Sequence, residues 1–275
     1  MFKQKVVIIT GGSSGLGKQL AERVLRRGAH LALIARDQAK LEAVRDELSA
    51  NLPEGRHIGI YSCNISDPEG VEKTIRAIAD EIGPPSILIN CAGVLHEGPF
   101  EKQTFEIFHD TMNVDFFGAL HCIRAVLPYF KQHGSGRIVN ISSMAGLMGV
   151  FGYAAYCSAK HALNGLTHTL RSELTPMNIT VQLACPGEFE SPLVDKLNTY
   201  RSAENRVMVS TIPVLKINKV ADSIVKGMEK GTYLIIPGMM ARLIDCFARW
   251  FPALSRLVAD LRLKKVRHLD KARRI

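Results

Sequence analysis

The sequence has 275 residues, 47% of them hydrophobic and 22% charged, with a formal net charge of +9 at pH 7. This composition allows a sizeable core and excludes a disordered or fibrous protein, and the length is compatible with one large α/β domain. The charge is uneven, because ten basic and three acidic residues between Arg242 and the C-terminus give a formal +7 and leave +2 for residues 1–241. The tail therefore carries most of the basic character.

The spacing of cysteines and histidines and the length of apolar stretches argue against metal-binding, secreted and membrane-spanning proteins. The six cysteines form no CxxC pair, and the nine histidines show no HxH or HExxH spacing, so we expect reduced cysteines and no metal site. The N-terminus reaches a glycine-rich turn too early for a secretory signal peptide, and no stretch approaches the ~18 uncharged apolar residues of a membrane span. We expect a cytoplasmic protein.

Short apolar runs alternate with longer amphipathic stretches along the chain. The predicted strands are Lys5–Thr10, His30–Ala35, His57–Ser62, Ser86–Asn90, Arg137–Ser142, Thr180–Ala184 and Tyr233–Pro237. The predicted helices are Gly15–Arg27, Asp37–Ala50, Asp67–Ile82, Thr104–Gln132, Tyr153–Thr175 and Lys219–Lys230, with Asp37 and Asp67 as N-caps. The alternation predicts a single Rossmann-type, doubly wound α/β domain over residues 1–238, built on a seven-stranded parallel sheet. Within it, the aperiodic stretch 187–218 is a candidate substrate lid.

A glycine-rich turn, Thr10–Gly17, lies between the first predicted strand and the first helix. Glycine allows a ligand to approach the backbone closely, and a helix N-terminus offers free N–H groups to a pyrophosphate. The spacing is GxxxGxG and lacks the Gly-Lys-Ser/Thr of a nucleotide-hydrolysing P-loop. It indicates a dinucleotide site, for which the predicted binding residues are Gly11, Ser13, Ser14, Gly15, Leu16 and Gly17.

The second predicted strand ends in Ala35-Arg36-Asp37. An NAD-preferring site places a carboxylate at this point to bind the ribose hydroxyls, whereas a guanidinium binds a 2′-phosphate. We interpret Asp37 as a helix cap and Arg36 as the residue that favours NADP(H).

Tyr156 and Lys160 lie four residues apart on a predicted helix and so share one face. An ammonium beside a phenol lowers the tyrosine pKa from ~10 toward the pH at which a general acid/base works. Upstream, Ser142-Ser143 ends the fifth predicted strand, where a hydroxyl polarises a carbonyl bound over the edge of the sheet. These residues form a candidate catalytic group.

Taken together, these motifs resemble those of the short-chain dehydrogenase/reductase family. The matching positions are in the family's order and cover residues 1–237: Thr10–Gly17, Asn90-Cys91-Ala92-Gly93, Asn113, Ser143, Tyr156, Lys160 and Pro186-Gly187. The resemblance implies that Tyr156 donates a proton to a carbonyl oxygen, that Ser143 orients the carbonyl, and that Lys160 tunes Tyr156 and holds the nicotinamide ribose. It also implies that Asn113 anchors a water of the proton relay.

The same resemblance implies further cofactor contacts. Asn90, Ala92 and Gly93 would line the adenosine-ribose side, and Pro186 and Gly187 would flank the nicotinamide. Asn64, beside Ile65, stands where the family often has an aspartate for the adenine amino group, and its carbonyl accepts the same bond. After Pro186-Gly187 the usual threonine is missing, which leaves the carboxamide contact unassigned. Relatives pair through the two long helices, so a homodimer or homotetramer is expected by analogy.

The tail from residue 239 to 275 combines an apolar helical stripe with basic residues. Leu243, Phe247, Trp250, Leu254 and Leu257 fall on the stripe, and Pro252 interrupts it. Such a basic amphipathic helix suits the surface of an anionic bilayer, which predicts peripheral contact with the cytoplasmic membrane face. The alternative is that the stripe packs on the protein's own core, over the substrate cleft or against another subunit.

Within the family, the chain is most similar to 3-ketodihydrosphingosine reductases, which reduce the keto group of a long-chain sphingoid base with NADPH. This similarity rests on Gly11–Gly17, Ala35-Arg36, Gly146–Gly152 and the apolar, basic C-terminus. Another apolar ketone, such as a steroid or a 3-oxoacyl chain, is the alternative substrate. A non-catalytic NADP-binding, membrane-associated protein is also open, since fold does not dictate function. We expect no nucleic-acid partner, because no DNA-reading motif or aromatic-lined basic face is present.

Overall fold

A computed structural model describes residues 1–50 and 54–272 of the protein. Seven strands form one sheet in the order β3-β2-β1-β4-β5-β6-β7, and all neighbours are parallel. Their bounds are β1 Val6–Thr10, β2 His30–Ala35, β3 Ile58–Ser62, β4 Pro85–Asn90, β5 Gly136–Ile141, β6 Ile179–Ala184 and β7 Leu234–Ile235. The predicted doubly wound, seven-stranded fold is confirmed, with strand ends displaced by a few residues.

Helices cover both faces of the sheet, which explains why the strands are apolar runs without alternation. Their bounds are α1 Gly15–Leu25, α2 Gln38–Ser49, α3 Pro68–Glu81, α4 Phe105–Met112, α5 Gly118–Gln132, α6 Ala154–Leu174, α7 Pro192–Asn198, α8 Ala203–Val209, α9 Ile217–Glu229, α10 Met239–Trp250 and α11 Pro252–Ala272. One core lies between the sheet and α1, α2 and α9, and the other lies between the sheet and α3, α5 and α6. Asp37 and Asp67 cap α2 and α3 as predicted, each accepting a backbone N–H bond.

The strand order reverses at β1, since β2 and β3 lie on one side of it and β4 to β7 on the other. At such a switch point the loops after adjacent strands diverge to opposite faces and open a crevice at the carboxyl edge of the sheet. The glycine-rich turn follows β1. Directly beside this turn, the end of β4 carries the second motif, Asn90-Cys91-Ala92-Gly93. The topology therefore places the two cofactor motifs on the same crevice.

The predicted helix Thr104–Gln132 is interrupted in the structure. A five-residue π-helical turn, Asn113–Phe117, joins α4 to α5. A π turn widens the helix and rotates the side chains that follow, and such turns are frequent at functional sites. The interruption decides which side chain of this segment reaches the crevice.

The region after β6 packs over the carboxyl edge of the sheet. The segment 187–218, predicted as a lid, contains the short helices α7 and α8. The tail forms α10 and α11, which break at Phe251, and Pro252 begins the second helix, where its missing N–H costs nothing. α11 contacts both α8 and α10, and Arg262 donates a 2.7 Å hydrogen bond to Thr211. Residues 273–275 of the predicted tail lie outside the described residues.

Candidate active site

The glycine-rich turn is packed so closely that two of its glycines, Gly11 and Gly17, leave no room for a side chain. A Cβ on Gly17 would lie 2.2 Å from the carbonyl oxygen of Gly11, and a Cβ on Gly11, at a φ of +69°, would lie 2.8 Å from the Cα of Ala92. Gly15 has a φ of +50° and open space where its Cβ would be. The bare backbone is thus exposed toward the crevice, as a pyrophosphate cradle requires.

The N-terminus of α1 is free to bind an anion. Ser14 occupies the N-cap position, but its side chain makes no capping hydrogen bond, in contrast to the aspartate caps of α2 and α3. The first N–H groups of α1 are left for a ligand, and the helix dipole favours a negative one. Gly11, Ser14, Gly15, Leu16 and Gly17 all line the central cavity of the structure, whereas the partly exposed Ser13 does not. This turn fits the diphosphate of a nicotinamide dinucleotide.

Arg36 lies exposed at the carboxyl end of β2, close to the glycine-rich turn. The turn is tied to this strand, because Gly11 donates a 2.8 Å hydrogen bond to the carbonyl of Ile34. The carbonyl of Arg36 accepts a 3.0 Å bond from the Ser62 hydroxyl, which fixes the backbone beside an exposed side chain. The Asp37 carboxylate caps α2, and the hydrogen bonds from Lys40 lower its pKa. The 2′-phosphate contact predicted for Arg36 remains a prediction.

Asn64 and Ile65 lie beyond β3, at the far side of the same edge. Asn64 is exposed, and its side-chain carbonyl accepts a 3.2 Å bond from the N–H of Ser66, which leaves one lone pair for a ligand. The Ile65 side chain is buried against Gly118, and its carbonyl contacts His121 at 2.9 Å. The adenine contacts predicted for these two residues remain predictions.

The end of β4 carries three residues with implied cofactor contacts. Ala92 and Gly93 line the cavity, and the Asn90 side chain is buried and donates a 2.8 Å hydrogen bond to Asn140. Asn140 in turn donates to Thr167 at 2.9 Å, which links β4 and β5 to α6. The Asn90 side chain thus holds this edge of the sheet together, and the ribose-side position implied for the three residues remains a prediction. Ala92 is positioned by its N–H bond to Thr10, at 3.1 Å.

Ser143 and Tyr156 meet at the bottom of the cavity. Ser143 follows β5, and its oxygen accepts a 3.1 Å bond from the N–H of Ala145, which orients the hydroxyl over the carboxyl edge of the sheet. Tyr156 lies in the first turn of α6 and lines the same cavity. The two side chains stand together where a carbonyl would meet both of them.

Lys160 lies one turn beyond Tyr156 and is fully enclosed. Its Nζ atom is 5.5 Å from the centre of the Tyr156 ring and donates a 3.2 Å bond to the carbonyl of Ile141. Burial raises the pKa of Tyr156, and the Lys160 ammonium lowers it, so that the net shift is upward. Lysine thus acts in the predicted direction, but desolvation of the phenol outweighs it.

The π-helical turn places Asn113 and Asp115 in different surroundings. The Asn113 side chain is exposed, at the start of the turn, whereas Asp115 is 1% exposed and points toward Lys160. The Asp115 Oδ2 atom lies 3.2 Å from Lys160 Nζ. Residues two apart on a helix face different ways, so Asn113 and Asp115 do not share this position. The role implied for Asn113 remains a prediction, and sequence reasoning missed Asp115, whose signal was a single carboxylate within the apolar run Val114–Phe117.

The segment after β6 completes the crevice. The carbonyl of Pro186 accepts a 2.9 Å bond from the N–H of Met144, and Pro186 and Gly187 line the cavity. Their implied contact with the nicotinamide remains a prediction. Next in the chain, Glu188 is held by Arg201 through bonds of 3.0 and 2.7 Å. The Ser191 hydroxyl caps α7.

A cavity of about 420 Å³ connects these groups. One end is formed by the glycine-rich turn, Gly93, Ser143, Tyr156 and Lys160. The other end is apolar, and its wall comes from the lid and the tail: Leu193, Leu197, Val209, Ile212, Ile244, Phe247 and Val258. The arrangement places a proton donor between a dinucleotide cradle and an apolar pocket.

Comparison with known proteins agrees with this geometry. A sequence model described as short chain dehydrogenase matches residues 5–202. The chain is 38% identical to the 3-ketodihydrosphingosine reductase of Dictyostelium discoideum over 249 residues, which is 85% of this chain and 75% of that protein. It is 35% identical to the bovine 3-ketodihydrosphingosine reductase over 229 residues, or 82% of this chain and 69% of the relative.

Solved structures extend the comparison to the fold. A short-chain dehydrogenase from Sphingobium yanoikuyae in complex with NADPH has a TM-score of 0.75 and 28% identity, covering 94% of both chains. A short chain dehydrogenase/reductase from Burkholderia phymatum in complex with NAD has a TM-score of 0.81 and 22% identity, covering 92% of this chain and 95% of that one. With the matched residues and the shared topology, this chain belongs to the short-chain dehydrogenase/reductase family.

Proposed function

We propose that the protein is an NADPH-dependent carbonyl reductase whose substrate is the keto group of a long-chain sphingoid base, 3-ketodihydrosphingosine. The observation that carries this proposal is the cavity in which Ser143, Tyr156 and Lys160 lie between the glycine-rich turn and an apolar wall. The similarity to 3-ketodihydrosphingosine reductases supports the substrate class. Each part of the proposal has its own structural support.

The chemistry follows from the side chains at the polar end. The Ser143 hydroxyl donates to the carbonyl oxygen and polarises it, and the Tyr156 hydroxyl gives the same oxygen its proton. NADPH, when bound, supplies the hydride for the carbonyl carbon. The Lys160 ammonium stabilises the phenolate that remains on Tyr156. The apolar wall excludes water from the carbonyl while the proton moves.

Preference for NADPH rests on the exposed side chain of Arg36. A charge-assisted, bidentate contact with a 2′-phosphate is stronger than any contact that the ribose hydroxyls of NADH make with an arginine. The neighbouring carboxylate, Asp37, is engaged by Lys40 at 2.9 Å and does not offset the charge of Arg36.

The apolar end of the cavity suits a long acyl chain. Its wall is built from flexible and branched aliphatic side chains of α7, α8, α10 and α11, and it opens beside the tail. A sphingoid base, a steroid and a 3-oxoacyl chain are all apolar ketones, so the wall alone does not separate them. A panel of these three ketones with NADPH separates them by kcat/KM, and 3-ketodihydrosphingosine is expected to give the highest value. A clear preference for another ketone would make that ketone the proposed substrate. An absence of turnover with all three ketones would favour the non-catalytic alternative.

We also propose that the tail rests on a membrane. The outward side of α10 and α11 carries an exposed apolar surface, here termed the tail face: Met239, Leu243, Trp250, Phe251, Leu254, Leu257 and Leu261. Trp250 is 76% exposed, which is costly in water without a partner surface. Arg256, Lys264 and Lys265 lie exposed on α11 and suit anionic headgroups. Among the described residues, no helix has the length and apolar content to cross a bilayer.

This placement gives the tail two roles at once. Phe247 and Val258 line the substrate cavity, while Trp250, Leu254 and Leu257 on the same two helices face outward. The apolar stripe therefore fits both alternatives. One part of it covers the cleft, and the other part is exposed and is proposed to contact the membrane. A lipid substrate would enter the cavity from the bilayer without crossing water, which is the physical benefit of the arrangement.

We further propose a homo-oligomer formed through the long helices. Phe105 on α4 is 81% exposed, and Phe117 is exposed at the end of the π-helical turn. Aromatic residues exposed along helices are typical of subunit contacts. Light scattering coupled to size-exclusion chromatography measures the mass directly, and a monomer at micromolar concentration would refute this part.

A further inference from the structure

Asp115 is a buried carboxyl group inside the candidate active site. The π-helical turn directs it inward, where its Oδ1 atom accepts a 2.7 Å hydrogen bond from the N–H of Val94. Its Oδ2 atom lies 3.2 Å from Lys160 Nζ. The charged pair is sealed by Gly93, where a Cβ would come within 3.3 Å of the carboxylate and 3.5 Å of Nζ. Gly93 therefore packs closely over the pair and leaves little room for the two side chains to move.

The surroundings of this pair contain few other charges. The Tyr156 side chain, from α6, faces this pair. The Cys91 thiol faces it from the segment after β4. Burial raises the pKa of Cys91 to about 12, so this thiol is neutral. From α4, the exposed Asp110 lies nearest, with its carboxylate 3.5 Å from His96. Burial raises the pKa of Asp115, and the Lys160 ammonium and the N–H of Val94 oppose this rise, so the contact with Lys160 favours the carboxylate form. The groups of this pair that act on Tyr156 are the ammonium of Lys160 and the carboxylate of Asp115.

These two charges act on the catalytic phenol in opposite directions. Burial by itself lowers the pKa of Lys160, but Asp115 and Tyr156 raise it above its ordinary value, so the lysine keeps its proton. For Tyr156, burial raises the pKa, Lys160 lowers it and Asp115 raises it again. The carboxylate thus cancels part of the effect that a lone ammonium would have on the phenol.

We propose that Asp115 is a positioning residue that pairs with the Lys160 ammonium, opposes its effect on the phenol and so keeps Tyr156 protonated through the neutral range. This inference rests on the proposed function, because reduction of a carbonyl needs the protonated phenol as its acid. A neutral side chain at this position would leave the buried ammonium unpaired and would favour the phenolate. Asp115 therefore extends the pH range of reduction on its alkaline side.

The decisive experiment removes the charge and keeps the shape. In Asp115→Asn, the Tyr156 phenol should ionise about one pH unit lower than in the parent protein, because a carboxylate no longer opposes the phenolate. The titration is measured by phenolate absorbance, as the difference between each protein and the same protein with Tyr156→Phe. The alkaline limb of kcat/KM for reduction should move down by the same amount. Asp110→Asn removes an exposed charge from α4 and should leave both curves in place.

Superimposed titrations of the parent protein and Asp115→Asn, or ionisation of Tyr156 at a higher pH in the variant, with both proteins folded by circular dichroism, would overturn the inference. If Asp115→Asn does not fold, the parent protein still decides, because a Tyr156 phenol that ionises within the neutral range, well below its ordinary value of ~10, would also overturn it. The absorbance titration needs no substrate. An absent turnover with every ketone would therefore refute the proposed function alone, while the shift in Tyr156 ionisation would still test Asp115.

Discussion

The two ends of the cavity are built on opposite principles. At the polar end, contacts are fixed by backbone and buried charges: Gly11 and Gly17 leave no room for a Cβ, and Lys160 lies between the carbonyl of Ile141 and the carboxylate of Asp115. At the apolar end, the segment 187–218 and the two tail helices supply side chains that touch the cavity on one side and solvent on the other. Precise chemistry is located on the rigid sheet edge, and adaptable binding is located on peripheral helices.

This contrast follows from what each end must do. Proton transfer requires groups held within hydrogen-bond reach and oriented by their neighbours, which a parallel sheet buried on both faces provides. A long apolar chain needs area and exclusion of water more than direction, since the hydrophobic effect is non-directional. Substitutions at the two ends should accordingly change different measured quantities.

The largest effect is expected at the polar end, from Tyr156→Phe. Loss of the proton donor should lower kcat by about 100- to 10,000-fold, while the Kd for NADPH stays within a few-fold because the phenol hydroxyl is not part of the diphosphate cradle. Steady-state kinetics and quenching of protein fluorescence by NADPH give the two numbers. Tyr129→Phe, a tyrosine of α5 outside the cavity, is the matched control. A turnover near that of the parent protein would remove Tyr156 from the mechanism.

An intermediate effect is expected at the cofactor edge, from Arg36→Asp. Removing a charge-assisted contact and adding a repulsive carboxylate should weaken NADPH binding about tenfold or more and improve the relative use of NADH. The ratio of kcat/KM for the two cofactors is the measurement. Arg45→Asp makes the same change on an exposed residue further along α2 and should leave the ratio unchanged. An unaltered ratio in Arg36→Asp would contradict the 2′-phosphate role.

Substitutions at the tail face are expected to have the smallest effect on turnover. They should instead clearly change binding to anionic liposomes. Changing Trp250, Leu254 and Leu257 together to serine should lower binding to anionic liposomes at least about tenfold, because each lost apolar side chain forfeits on the order of 1–2 kcal/mol of burial. Turnover of a short, water-soluble ketone should change little, since none of the three lines the cavity. Phe105→Ser, on α4, is the control for co-sedimentation. Undiminished liposome binding by the triple variant would exclude the tail face as the anchor.

The predicted helix over Thr104–Gln132 shows where sequence reasoning reached its limit. Apolar spacing identified a helical segment, but periodicity does not reveal the π-helical turn that directs Asp115 toward Lys160. The surroundings of Asn90 were hidden for a related reason. Its position at the end of β4 was predicted, yet the partner of its side chain, Asn140, lies on the neighbouring strand.

The sequence by itself determined the order of the strands and helices, the glycine-rich turn, and the Tyr156–Lys160 spacing, because local periodicity, caps and close backbone packing are encoded over a few neighbouring residues. The tertiary structure alone decided that Asp115 faces Lys160, that burial outweighs the lysine in setting the Tyr156 pKa, and that one side of the tail closes the cavity while the other stays exposed. These outcomes depend on desolvation and on contacts between residues distant in the chain, and such quantities exist only once the chain has folded.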